Sequence, residues 1–98
     1  MTVRTAIIGG YERNSYTAVV NELNQKIELL RAVKRNERPM TDYIPPNTSM
    51  LKQNLKNTRF FGFEKADADT YIALLMLRLE SLEQAAARYR EIEPQNDL

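Results

Sequence analysis

From Tyr71 to Leu77 every residue is apolar or aromatic, and the surrounding residues repeat with helical spacing. A helix at the surface of a small domain needs one apolar stripe, whereas this stretch is apolar all round. Ile72, Leu75, Leu79, Leu82, Ala86 and Tyr89 follow one another at intervals of three and four, a heptad-like seam. The pattern predicts a long helix over 67–93, with Asp67 or Asp69 as N-cap and Pro94 just beyond its end. One seam turned towards the rest of the chain leaves the other sides of Tyr71–Leu77 uncovered. With 98 residues, the chain supplies two or three helices, enough for one or two sides. A subunit interface made by Tyr71, Leu74, Leu75, Met76 and Leu77 is therefore expected, in a homo-oligomer. The alternative is that the proline-containing connector and the phenylalanine cluster fold back over this helix.

A second long helix is predicted over 14–36, with Asn14 or Ser15 as N-cap. Tyr16, Val20, Leu23, Ile27 and Leu30 form its stripe, Val19 and Val33 widen it, and Pro39 stops it. The connector over 37–66 contains Ile44-Pro45-Pro46, which should be extended. A short helix over about Met50 to Asn57 follows, capped by Asn47, Thr48 or Ser49, with Met50, Leu51 and Leu55 inward. Phe60-Phe61-Gly62-Phe63 reads as an aromatic turn in which Gly62 takes the unusual backbone angles. Residues 1–13 read as an arm ending in a Gly9-Gly10 turn. The expected fold is all-α, a small helical hairpin or bundle with two long helices and a short middle one.

The charge is uneven. Residues 1–38 carry +3, 39–63 carry +2 and 64–98 carry −4, for a net charge of +1. A basic front and an acidic back can attract each other within a bundle or between subunits packed head to tail. The basic density is too low for a dedicated duplex-DNA binder. The longest apolar run is far below the roughly 20 residues that span a bilayer, and the start of the chain is too short an apolar run for a secretory signal. A soluble cytoplasmic protein without membrane contact is the expectation.

The chain has no His and no Cys. That removes the common nucleophile–base pairs, zinc sites and the usual proton shuttle, so a non-enzymatic protein without cofactor or metal is expected. Binding chemistry has more candidates. Lys52, Lys56 and Arg59 lie four and three residues apart, on one face of the short helix, and precede three phenylalanines. They are possible anion contacts, although a phenylalanine cluster in a small domain is more often core than stacking platform. Tyr11 and Lys26 are 15 residues apart, about 60° out of register on a continuous helix. A ring that stacks on a base and an ammonium that meets a phosphate suit a nucleotide; the plainer reading is a packed tyrosine and a solvated lysine.

Gly10-Tyr11, followed by a helix with Asn21-Glu22 and then Lys26, resembles the N-terminal part of phage anti-CBASS cyclic-oligonucleotide sponges. These are small helical hairpins that assemble as hexamers and sequester the cyclic nucleotide signals of bacterial defence. The resemblance implies that Tyr11 stacks on a base and Lys26 meets a phosphate, in a pocket between two subunits holding a cyclic di- or trinucleotide. Two other readings stand beside it: a helical interaction module that plugs a host protein, and a small DNA-binding regulator using Lys52, Lys56 and Arg59.

Overall fold

The computed structural model describes residues 3–96, with side chains through Ala87. Among the described residues three α-helices form, α1 over Arg13–Lys34, α2 over Thr48–Asn54 and α3 over Lys65–Asn96, with one 3₁₀ turn at Met40–Asp42. The chain is thus mostly helical, with two long helices and a short middle one as the periodicity predicts.

The two long helices do not make a hairpin. They run parallel, and the connector returns antiparallel between their ends. At one end the Tyr16 ring, three residues into α1, sits 4.9 Å from Phe63, just before α3. Further along both helices, Tyr43 lies beneath the Lys26 ammonium of α1, and its hydroxyl bonds Glu83 of α3. A long connector allows this because closing a longer loop adds little entropy, whereas an antiparallel hairpin needs only a short turn. The result is an elongated molecule of 61 × 21 × 20 Å.

The core is one continuous seam. Val19, Leu23, Ile27, Leu30 and Val33 of α1 meet Leu75, Leu79 and Ala86 of α3, with Tyr43 and Leu51 from the connector inserted beside them. Val20, Ile72 and Leu82 pack at its margin, half-buried. Tyr89, the last residue of the predicted seam, lies outside the described side chains.

Several predicted boundaries move, each for a local reason. α1 starts at Arg13 with Glu12 at the N-cap, so Asn14 and Ser15 lie inside it. The Ser15 hydroxyl instead donates to Glu12 O and accepts from Lys56 N, joining α1 to the connector. α1 ends before Pro39. Asn36 adopts φ 60°, and the Glu37 and Asn36 amides bond to Ala32 O and Val33 O. That is a Schellman closure with Asn in the left-handed position that usually favours glycine. α2 is capped by Asn47, whose side chain accepts from the Met50 amide, and it ends at Asn54 rather than Asn57. α3 begins at Lys65, two residues ahead of the predicted cap, and continues through Pro94.

The N-terminal arm is held along its length. Ala6 N–H donates to Gly62 O, Gly9 N–H to Arg59 O, and Tyr11 and Phe63 exchange two backbone bonds at 2.9 Å each. Isolated bridges therefore tie residues 5–11 to 57–63 without forming an extended strand. Gly10 takes φ 97°, and a Cβ there would lie 2.6 Å from Phe63 O. At Gly62 a Cβ would meet Tyr11 O at 2.5 Å, so this glycine permits close approach. The left-handed residue of the aromatic turn is Phe61, at φ 58°, and not Gly62.

Candidate functional site

The interlock of arm and connector sets Tyr11 at the start of α3. Its hydroxyl donates to Asp69 Oδ1 at 2.6 Å, and this bond, with partial burial, pushes the phenol up to about 12. The ring lies parallel to Tyr16, with centroids 6.4 Å apart, and the Lys65 ammonium stands 5.5 Å from its centroid. Asp69, expected to cap α3, is instead this hydrogen-bond acceptor. Asp67, the other predicted cap, receives the Arg4 guanidinium at 2.7 Å, which holds its carboxyl below the usual range.

Tyr11 borders an open cleft of about 610 Å³ between the arm, α2 and α3. Leu55, Ile72, Ala73 and Met76 give it an apolar floor, while Lys52, Asn57, Lys65 and Asp69 give it a polar rim. Two ammonium groups stand against one carboxylate already engaged by Tyr11. An apolar floor with a few convergent polar groups is the usual construction of a small-ligand site, and this rim favours an anion. Behind the ring, the Tyr16 hydroxyl is buried and has no hydrogen-bond partner among the described residues. Burial pushes that phenol up to about 12 as well.

The structure does not bring Lys26 to Tyr11 within one protomer. Lys26 sits 13 residues into α1, roughly 20 Å of helical rise from its start. Its ammonium donates to Ile44 O at 2.6 Å, fastening the extended connector to α1. Lys52, Lys56 and Arg59 do not share a helix face, because α2 stops at Asn54. Lys52 faces the cleft with Tyr11. Lys56 borders a different hollow with Glu12, Ser15 and Glu22, and Arg59 lies exposed in the loop beyond.

The apolar stretch of α3 divides between core and surface. Leu75 faces the core at 5% exposure, Tyr71 and Met76 are half-buried, and Leu74 and Leu77 are 50% and 62% exposed. Leu75 is therefore occupied within the chain's own core; Leu74 and Leu77 are the exposed members of the predicted interface. The phenylalanine cluster divides too. Phe63 packs on Tyr16, while Phe60 and Phe61 stand exposed beside Ile7 and Ile8.

Lys65, Asn57 and the Ile7-Ile8 tip carry no sequence signal that separates them from ordinary surface or arm residues. Only the backbone pairing of arm and connector reveals their neighbours. Among the described residues, no group of His, Cys, Asp and Glu is placed to hold a metal ion, and no helix is long and apolar enough to cross a membrane. Comparison with protein-family models, curated proteins and solved structures finds no match to this chain.

Proposed function

We propose that this chain is a non-enzymatic cytoplasmic binding protein that sequesters a phosphate-bearing ligand with an aromatic ring. The ligand class is the cyclic di- or trinucleotide held by the phage anti-defence sponges that its N-terminal third resembles. The observation that carries this reading is the convergence of Tyr11 and Lys52 on one open cleft with an apolar floor. The Tyr11 ring, backed by Tyr16, offers an aromatic wall, and Lys52 meets phosphate. This moves the phosphate role from Lys26, whose ammonium is tied to Ile44 O, to the lysine that shares the cleft. The protein self-associates through the outward side of α3, and a second copy there narrows the open side of the cleft.

Thermal-shift titration with cyclic di- and trinucleotides tests the reading. A rise in melting temperature that Tyr11→Ala and Lys52→Ala each remove, and that Lys26→Ala leaves in place, is the expected result. No shift at millimolar ligand overturns it.

A second reading, a helical module that docks on a host protein, is favoured by the apolar tip. Ile7, Ile8, Phe60 and Phe61 are 76%, 79%, 60% and 62% exposed, and they are neighbours through the Ile8–Phe60 bridge. Large side chains displayed together are a common mark of a protein contact. It predicts that one host protein co-purifies with the wild type and is lost with Ile8→Ser and Phe60→Ser, while ligand response is unchanged.

A further inference from the structure

We propose that Lys65 covers the Tyr11 ring in the empty cleft and moves to a second phosphate when a ligand enters. The cleft thereby selects ligands that carry at least two phosphates. This rests on the reading of the cleft as a nucleotide site and deepens it.

Lys65 and Asp69 are one turn apart on α3, a spacing at which opposite charges ordinarily pair. Here they do not. The Tyr11 hydroxyl donates to Asp69 Oδ1 at 2.6 Å, and the Lys65 ammonium stands over the Tyr11 ring on the cleft side, 5.5 Å from its centroid. Among the described residues the ion pairs belong to arginines: Arg4, Arg31, Arg35 and Arg38. Neither Lys65 nor Lys52 makes one, although both are exposed and border the same cleft. Two unpaired ammonium groups thus face a hollow in which Asp69 is already engaged.

The ring's other neighbour is Tyr16, parallel to it and buried. A base can therefore stack on Tyr11 only from the cleft, where Lys65 stands. The lysine stem is flexible, and a cation over an exposed ring is held weakly. A phosphate offers a stronger, charge-assisted bond. Stacking of the base and departure of Lys65 are then one event, in which the ammonium passes from ring to phosphate. Lys52 has no ring to leave and holds the other phosphate. The Tyr11 hydroxyl has a part in this as well. By occupying Asp69 it keeps that carboxylate from drawing Lys65 into an ion pair.

Titrations followed by NMR test the exchange, with cyclic di-AMP, cyclic di-GMP and cyclic tri-AMP as probes and cyclic AMP and cyclic GMP as their single-phosphate counterparts. Lys65→Met should weaken the multi-phosphate ligands by about tenfold or more and leave the single-phosphate ones within about twofold. Tyr11→Phe keeps the ring but frees Asp69 to pair with Lys65, and should cost a similar factor. Combining Tyr11→Phe with Asp69→Asn should recover the loss. In the free protein the Lys65 ε-methylene protons should resonate upfield, displaced by the Tyr11 ring current, and should return to the ordinary lysine position on binding. Equal losses for both ligand classes with Lys65→Met, a double variant no tighter than Tyr11→Phe, or ε-methylene protons unmoved by bound ligand overturns the exchange and leaves the ligand reading standing. A wild type that binds none of the probes overturns both.

Discussion

The Tyr11 hydroxyl bonds Asp69 across 58 residues of sequence, and this contact locks the N-terminal arm to the first turns of α3. The arm thereby does more than precede a helix. With Arg4 on Asp67 and Arg13 donating to Thr5 Oγ1 and Phe61 O, it fixes where α3 begins relative to α1. Tyr11→Phe should lower stability by about 1 kcal/mol, the usual net worth of such a bond at a partly exposed site. Urea unfolding of the two proteins measures it.

This contact at Tyr11 and the burial of Tyr16 together predict an alkaline limit. Tyr11 and Tyr16 are both raised to about 12, from about 10 in an unfolded chain. Their contribution is fully present below pH 10 and is lost as pH rises through 12, because the unfolded state ionises first. Phenolate absorbance should therefore develop late and coincide with loss of helical circular dichroism. Tyr11→Phe should remove part of that pH dependence.

Gly10 and Gly62 hold the interlock by having no side chain. Gly10→Ala and Gly62→Ala should each cost more than about 2 kcal/mol, since the new Cβ meets backbone oxygen in both. Gly9→Ala is the control. Its φ of 77° is also left-handed, yet nothing lies within 4 Å of the added carbon. That substitution should cost only about 1 kcal/mol from backbone conformation. Three similar melting curves would contradict this account of the interlock.

At the end of α1, the left-handed conformation of Asn36 closes the helix. Asn36→Val should destabilise by about 1–2 kcal/mol, because a β-branched residue fits that conformation poorly. Pro39→Ala should leave the helix end unchanged, since the closure precedes it. Backbone chemical shifts at residues 32–37 distinguish the two.

Core and surface leucines of α3 should separate clearly. Leu79 is 1% exposed, and Leu79→Ala should cost about 2–5 kcal/mol through the cavity it leaves. Leu77→Ala should change the stability of the isolated protomer by less than about 0.5 kcal/mol, because Leu77 stands on the outward face. Any larger loss at Leu77 should depend on protein concentration, as expected for a residue that acts through association.

The helices were legible in the sequence because periodicity is a local property. Intervals of three and four marked Leu23, Ile27 and Leu30 of α1 and Leu75, Leu79 and Ala86 of α3 as inward, and all are buried. The cap of α2 was legible to within three residues, Asn47, Thr48 or Ser49, because a cap acts locally, and the Asn47 side chain is the one that accepts from the Met50 amide. Within Tyr71–Leu77, apolar all round, the same spacing marked Leu75 as inward, while Leu74 and Leu77 stand exposed.

Direction and neighbourhood were not legible, because they depend on contacts between distant residues. Nothing local tells whether a 30-residue connector turns back once or carries the chain to the start of a parallel helix. Backbone pairing of residues 5–11 with 57–63 decided that. The same pairing delivered Tyr11 to Asp69 and placed Lys52 at its cleft, while the extended connector took Lys26 for the Ile44 carbonyl. The sequence by itself determined which faces avoid water and which chemistries the chain lacks the residues to perform. Only the tertiary structure decided which side chains meet, because closure of long loops brings together groups that no local pattern relates.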